Sequence, residues 1–281
     1  MTFGEKRYII SVLKFWRHIL FYYELHSHTK AASACGCVEP EDYVTYYKEL
    51  GYSGIVITDH FYYGNTNISR DLEWEEHVSR YCEAYYRAKA EGDKQGFSVF
   101  FGLEYKFKIA SDEYIILGVT PEWVKANGQM REMDRATFCD FVRAAGGYVI
   151  QAHPFRNRGY IRHIVLSLDH VDAIEVYNSG NTMENCRQAY EYAKNLDLPM
   201  VGGSDIHRLD SPDLRSGIAL KERAETVFDI IEAIKKREVE ILPLGILDEV
   251  KAQPLVDPTL PVMIAEGSEF VETDNYFWAK K

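Results

Sequence analysis

The chain has 281 residues, with 32 Lys plus Arg against 43 Asp plus Glu and a formal net charge of −11. A hydrophobic share of 46% and a charged share of 27% match a globular chain that buries a full core, which excludes disordered and fibrous classes. The acidic balance, without any block of Lys or Arg, argues against a large nucleic-acid footprint, because that needs a basic face to displace counterions from phosphates.

In chain order, the first apolar stretch runs from Tyr8 to Tyr23 but is interrupted by Lys14, Arg17 and His18. A span needs about 20 predominantly apolar residues, and no small-residue cleavage site follows, so the stretch reads as a peripheral amphipathic helix or a start site placed too early. Residues 1–22 are expected to form an N-terminal extension. Strand-like runs then fall at Phe21 to Leu25, Gly54 to Thr58, Val99 to Leu103, Tyr114 to Val119, Tyr148 to Ala152, Ala173 to Tyr177, Met200 to Gly203 and Val239 to Leu242. Helix-like runs lie between most of them. Pro40 with Glu41 and Asp42 opens one that Gly51 closes, and others cover Leu72 to Glu91, Arg135 to Ala145, Glu184 to Asn195 and Ala224 to Lys236. Alternating strands and helices imply an α/β fold with a mostly parallel sheet, and seven or eight such units suggest closure into a single barrel domain. Beyond Leu242 the chain becomes proline-containing and acidic, and residues 246–281 read as a C-terminal tail.

The five cysteines include no Cys-x-x-Cys pair, so a disulfide scaffold is not expected and the reducing cytosol is the expected compartment. Cys35-Gly36-Cys37, without a second pair, reads on its own as a loop of inert thiols.

Chemistry concentrates where the strand-like runs end. Phe21 to Leu25 runs into His26-Ser27-His28, Ile55 to Thr58 into Asp59-His60, Val99 to Leu103 into Glu104, Tyr148 to Ala152 into His153, and Met200 to Ser204 into Asp205-Ile206-His207. In a closed parallel barrel all C-terminal strand ends open on one face, so these residues would converge there. Imidazoles and carboxylates from several strand ends suit a borderline divalent ion such as zinc, manganese or iron. A lone His-x-His also fits two solvated histidines on one side of a strand; the recurrence at five strand ends favours ligation by His26, His28, His60, Glu104, His153, Asp205 and His207. Glu104 is a candidate bridge between ions, and Asp59 a hydrogen-bonding support. His18, His77, His163 and His170 lack that setting and read as surface or helix residues.

These segments, His26-Ser27-His28-Thr29, Ile57-Thr58-Asp59-His60, Gly102-Leu103-Glu104, Ala152-His153-Pro154 and Gly203-Ser204-Asp205-Ile206-His207, resemble the successive motifs of the PHP (polymerase and histidinol phosphatase) superfamily. The resemblance runs from about Tyr23 to about Gly245, so the domain is expected over residues 23–245. It implies a distorted seven-stranded β/α barrel holding one to three divalent ions and hydrolysing phosphoesters with ion-activated water. Carried over residue by residue, it implies a first ion on His26, His28, Glu104 and Asp205, a second reached by Glu104 and His153, and a third on His60 and His207.

The chain departs from the family pattern twice. Relatives offer a His or Asp about six residues after the second histidine, where Ala34, Cys35 and Gly36 stand here, and Cys35 is the candidate substitute ligand. Relatives also place a histidine on the strand after the Glu, where Ile115 stands. One well-occupied ion and at least one weaker ion are therefore expected. Arg156 and Arg158, just past His153-Pro154, could fork onto a substrate phosphate; Asn178 is a candidate site-facing residue and Glu175 a structural support. No side chain is assigned as general acid, since a metal-ligating histidine donates a proton poorly.

The expected activity is metal-dependent hydrolysis of a small phosphorylated metabolite or nucleotide, with long nucleic acid disfavoured by the net charge. Two alternatives stand beside it. An amidohydrolase-type hydrolase also begins with His-x-His on a barrel but more often wants a lysine on a middle strand. A catalytically weak regulatory PHP module would keep metal without turnover.

Overall fold

The computed structural model describes residues 20–273 apart from 110, 169, 211–214 and 267–268, so the apolar stretch from Tyr8 lies almost wholly outside the described residues. The elements are β1 (Phe21–Glu24), α1 (Pro40–Glu49), β2 (Gly54–Ile57), β3 (His60–Phe61), α2 (Trp74–Gln95), β4 (Ser98–Lys106), β5 (Glu113–Leu117), α3 (Pro121–Ala126), α4 (Arg135–Ala144), β6 (Tyr148–Ala152) and β7 (Ile164–Leu166). They continue with β8 (Ala173–Asn178), α5 (Met183–Asn195), β9 (Met200–Gly203), β10 (Gly217–Leu220), α6 (Val227–Lys235), β11 (Glu240–Leu242), α7 (Ile246–Ala252), β12 (Val262–Glu266) and β13 (Glu269–Thr273).

The main sheet follows the order β11-β10-β1-β2-β4-β5-β6-β8-β9, with β3 added on β4. It is nearly closed. A Cβ on Gly202 of β9 would lie 2.7 Å from Ile241 of β11 and 2.8 Å from the Gly217 carbonyl of β10, so only glycine lets the two ends of the sheet approach this closely. Past the strand ends, a bridge between Ser27 and Ile206 ties the exits of β1 and β9 together.

Side-chain alternation divides the apolar residues into two layers. Tyr23, Val56, Phe100, Ile115, Ile150 and Val201 pack with one another and with Ile230, Ile231 and Ile234 of α6, whereas Ile55, Ile57, Phe101, Leu103, Val149 and Ile174 join the layer under the other helices. The Thr226 side chain and Asp229 form a reciprocal cap that starts α6.

The barrel differs from the sequence expectation in strand count and direction. β5 and β10 run antiparallel to their neighbours, so the sheet is mixed rather than mostly parallel. β3, β7 and β10, of two to four residues each, are not among the strand-like runs. The segment after Leu242 supplies α7, and it supplies β12, which pairs in parallel with β7 and carries β13; Val250 and Val262 there are buried.

Candidate metal centre

Alternation explains which side chains reach the open face. Phe100, Gly102 and Glu104 share one side of β4, so the strand that buries Phe100 also aims Glu104 inward; Ala173 and Glu175 do the same on β8. Gly203 allows the crowding that results: a Cβ there would lie 2.3 Å from Glu175 Oε1 and 2.6 Å from His26 Cβ. The chain then leaves β6 and β9 through His153 (φ 30°) and Asp205 (φ 55°), left-handed conformations that cost non-glycine residues roughly 1–3 kcal/mol each and recur at functional sites.

The structure brings all seven candidate ligands together. His26 Nε2 lies 3.1 Å from Glu104 Oε1 and 3.6 Å from Asp205 Oδ1. His28 Nε2 lies 2.9 Å from Asp205 Oδ1 and 3.7 Å from Glu104 Oε2, and His153 Nε2 is 3.1 Å from Glu104 Oε1. His60 Nδ1 presses against Glu104 Oε2. The His28 ring lies against those of both His60 and His207, at centroid distances of 4.1 and 4.4 Å, and those two rings are 6.0 Å from each other. Donor atoms converge in overlapping groups, His28 with His60 and His207, His26 with His28 and Asp205, His26 with Glu104 and His153, and His60 with Glu104 and Glu113.

Glu113 is the residue that the sequence reading missed. Its carboxylate is 3.7 Å from His153 Nε2 and 4.0 Å from His60 Nδ1. Ile115, at the position where a histidine was expected, is instead buried in the inner apolar layer. The cause is strand direction: β5 runs against β4, so its first residue, not its last, stands at the open face. The available signal was Glu113 itself, one turn of alternation before Ile115 and Leu117.

Five buried atoms of the cluster, His26 Nε2, His28 Nε2, His60 Nδ1, Glu104 Oε2 and Asp205 Oδ1, lack a hydrogen-bond partner. Buried polar atoms are ordinarily paired, and leaving them bare costs about 1–3 kcal/mol each. A nitrogen and oxygen donor set of this kind, converging without mutual hydrogen-bond alignment, fits divalent cations.

The charges are consistent with a cation-seeking cluster. Burial opposes protonation of His26, but Glu175, Asp205 and Glu104 raise its pKa well above the usual range; burial and the charge of His60 push His28 well below it. Burial favours the neutral carboxyls, yet His60 and His26 hold Glu104, and Arg156 and His26 hold Asp205, well below the ordinary range. Burial and Glu104 raise Glu113. Burial would raise the Cys35 thiol, but hydrogen bonds with His207 and His60 bring it down to about 6. The backbone places Cys35 between those two: Ala34 N donates to Asn65 O beyond His60, and Cys37 N donates to His207 O.

The surrounding residues fix the donors. Glu175 Oε1 lies 2.9 Å from His26 Nδ1, and its Oε2 accepts from His153 N and Asn178 Nδ2. Asp59 accepts from Thr29 N, Thr29 Oγ1 and Ser33 Oγ. Arg156 donates to Asp205 Oδ2, to Asn178 Oδ1 at 3.1 Å and to Asn181 Oδ1 at 2.9 Å, while the exposed Arg158 donates to the Gly180 carbonyl. Arg156 is thus engaged with a candidate ligand and Asn178 with the Glu175 support.

The sequence matches the PHP domain model over residues 24–241. The chain belongs to the PHP domain family. Among solved structures, it is similar to a two-domain protein containing a predicted PHP-like metal-dependent phosphoesterase from Bacteroides vulgatus, with 18% identity, a TM-score of 0.60, and coverage of 79% of this chain and 64% of that one. The PHP chain thus spans less than two thirds of that protein's length. A putative metal-dependent phosphoesterase from Bifidobacterium adolescentis aligns at 18% identity and a TM-score of 0.47, covering 78% of this chain and 96% of that one. A lesion-specific endonuclease from Pyrococcus furiosus aligns at 14% identity and a TM-score of 0.48, covering 80% and 58%. No curated protein matches the sequence. Among the described residues, no helix is long and apolar enough to cross a membrane.

Proposed function

We propose that this PHP domain is a metal-dependent phosphoesterase that releases phosphate or a nucleotide from a small phosphorylated metabolite or nucleotide. The five buried, unpartnered donor atoms converging on one face carry this reading. His26, His28, Glu104 and Asp205 would hold one ion; Glu104, His153 and Glu113 a second; and His60, His207 and Cys35 a third, with zinc, manganese or iron suited to these donors. Such ions neutralise phosphate oxygens and acidify water near neutral pH.

The protein residues provide orientation. Glu175 fixes His26 and the backbone at His153. Arg156 holds one oxygen of Asp205, leaving the other facing His28, and its guanidinium is the nearest candidate, with Arg158 and Asn178, to turn toward a bound phosphate. The net charge of −11 favours small substrates over long polyanions. A thiol at the cluster edge suits a reducing compartment, for which we favour the cytosol. We assign the domain to residues 23–245, with residues 1–22 as an extension whose last two residues enter β1, and 246–281 as a C-terminal segment that packs back on the domain through β12.

The test is a screen of phosphorylated metabolites and short oligonucleotides with manganese or zinc. Phosphate or nucleotide release that chelator abolishes and metal restores is the expected result. Full activity in metal-free protein, or stoichiometric metal without turnover of any ester, would reject the proposal.

A further inference from the structure

On the same face as the metal centre, a cavity of about 480 Å³ opens between the end of β4, the loop before β5, the segment after Arg158 and the β12–β13 hairpin. Ile109, Tyr160 and Phe270 give it an apolar and aromatic wall, and Lys106 and Arg162 give it charge. Ser111, His163 and Val165 line both this cavity and the narrow cleft that contains Glu113, His153 and Arg156, so the two spaces share a wall. Tyr160 lies close enough to Arg156, the residue that grips Asp205, to feel its charge. Lys106 pairs across the β4–β5 ladder with Glu113 and so stands at the border between the cavity and the ligands.

Three features distinguish this cavity from a surface crevice. It lies within the range of about 300–1,000 Å³ that small-molecule sites occupy. Two of the most exposed large hydrophobic side chains in the described chain, Ile109 at 89% and Tyr160 at 68%, meet here beside the metal centre, where apolar exposure marks a contact surface. In a chain of net charge −11, its described lining nonetheless includes Lys106 and Arg162 and no carboxylate. The Phe270 side of the wall is also packed. The guanidinium of Arg135 lies 4.7 Å from the Phe270 ring centroid and 4.6 Å from that of Phe107, and Asp112 anchors it with two hydrogen bonds of 2.6 and 2.7 Å.

The geometry points to this cavity as the seat of the substrate's leaving group, and to an aromatic group carrying its own negative charge as the chemical class it takes. The inference rests on the phosphoesterase reading and deepens it. Water would add its oxygen to phosphorus, the bond from phosphorus to the aryl oxygen would break, and the aryl hydroxyl would depart with one of water's protons. Tyr160 and Phe270 would face the ring, while Lys106 and Arg162 would meet the remote charge.

The test compares kcat/KM of the metal-loaded full chain for 6-phosphonooxy-2-naphthoate, 2-naphthyl phosphate and glycerol phosphate. Dividing each variant's ratios by those of the unmodified chain cancels the intrinsic reactivity of the esters. Arg162→Ala should lower the naphthoate-to-naphthyl ratio about tenfold, and Tyr160→Ala should lower the naphthyl-to-glycerol ratio by a similar factor. Both residues are exposed, so neither variant threatens the core. Ratios that stay within about twofold in both variants overturn the inference. If no ester is hydrolysed, the phosphoesterase reading fails separately, and the cavity is judged by binding of 6-hydroxy-2-naphthoate, followed by its fluorescence. Saturable binding weakened by Arg162→Ala then supports the cavity as an aryl-anion site, and the absence of saturable binding at millimolar concentrations overturns it.

Discussion

At one end of the donor cluster, around β3 and the loops after β1 and β9, His28, His60 and His207 offer nitrogen and the Cys35 thiol lies against the last two. At the other end, on β4, β5 and the exit of β6, Glu104 and Glu113 bring two carboxylates beside His153. The nitrogen and sulfur end suits a softer ion such as zinc, and the carboxylate end a harder one such as manganese. The difference also has an electrostatic origin. Two neighbouring carboxylates, one buried and one largely so, need cationic charge to stay ionised, and burial together with Glu104 drives Glu113 toward its neutral form until such charge arrives.

Glu104 joins the two ends, since it contacts His26, His28, His60 and His153. Removing it should abolish the comparison altogether. Glu104→Ala is expected to lose both classes of ion by elemental analysis and at least about a thousandfold in kcat/KM, well beyond the 10–100-fold typical of supporting residues. Retention of either metal at full stoichiometry would show that the ends are independent sites.

Glu24 tests the frame beneath His26 and Asp205. It is buried, accepts from His26 N, Ser204 N and the Tyr47 hydroxyl, and burial raises its carboxyl from 4.5 to about 7. A raised folded-state pKa means stabilisation that is complete below about pH 4.5 and lost as pH rises through about 7. In metal-free protein, the stability of Glu24→Gln relative to the unmodified chain should therefore improve by about 3 kcal/mol between pH 4 and 8, measured by denaturant unfolding. A flat difference across that range would show that Glu24 titrates normally.

What the sequence revealed depended on strand direction. His26, His28, His60, Glu104, His153 and Asp205 were legible because each follows or ends an apolar run whose C-terminal end reaches the open face, and His207 because it follows Asp205 by two residues. Glu113 was hidden by the assumption of a mostly parallel sheet, which looks for ligands at the end of a run, while the family resemblance pointed to Ile115. Arg156 was legible as a cation past His153, but its attachment to Asp205 is a tertiary contact that no spacing encodes. The cavity beside the site was invisible for a related reason: its wall joins β4, the Tyr160 segment and the β12–β13 hairpin, where Lys106, Tyr160 and Phe270 follow one another at intervals of about 50 and about 110 residues.

The two ends can be separated by a pair of substitutions with opposite expected outcomes. Glu113→Gln should weaken manganese more than zinc, with activity in manganese falling about 10–100-fold, because the lost carboxylate belongs to the oxygen-rich end. Cys35→Ser should do the reverse and should also remove the thiolate charge-transfer band of the cobalt-substituted protein. Equal losses of both metals in both variants would mean that the ends share one ion.

The smallest effect is expected at Ser33, and it depends on a single proton. Ser33 Oγ donates to Asp59 Oδ1 at 2.6 Å, accepts from His60 N at 3.0 Å and lies 3.3 Å from His28 Nδ1. A hydroxyl has one proton to give, and the Asp59 carboxylate takes it, so His28 Nδ1 must be the donor toward Ser33. That fixes the tautomer with Nε2 bare and facing Asp205 Oδ1. Ser33→Ala frees the tautomer without emptying the core, since it removes one buried oxygen and leaves Asp59 its two bonds to Thr29. Zinc affinity in a competition titration should fall about tenfold, while manganese affinity changes less than about twofold. The hydroxyl touches His28 and the His60 backbone, away from the Glu113 end, so an equal loss of manganese would place the two metals on a common set of donors.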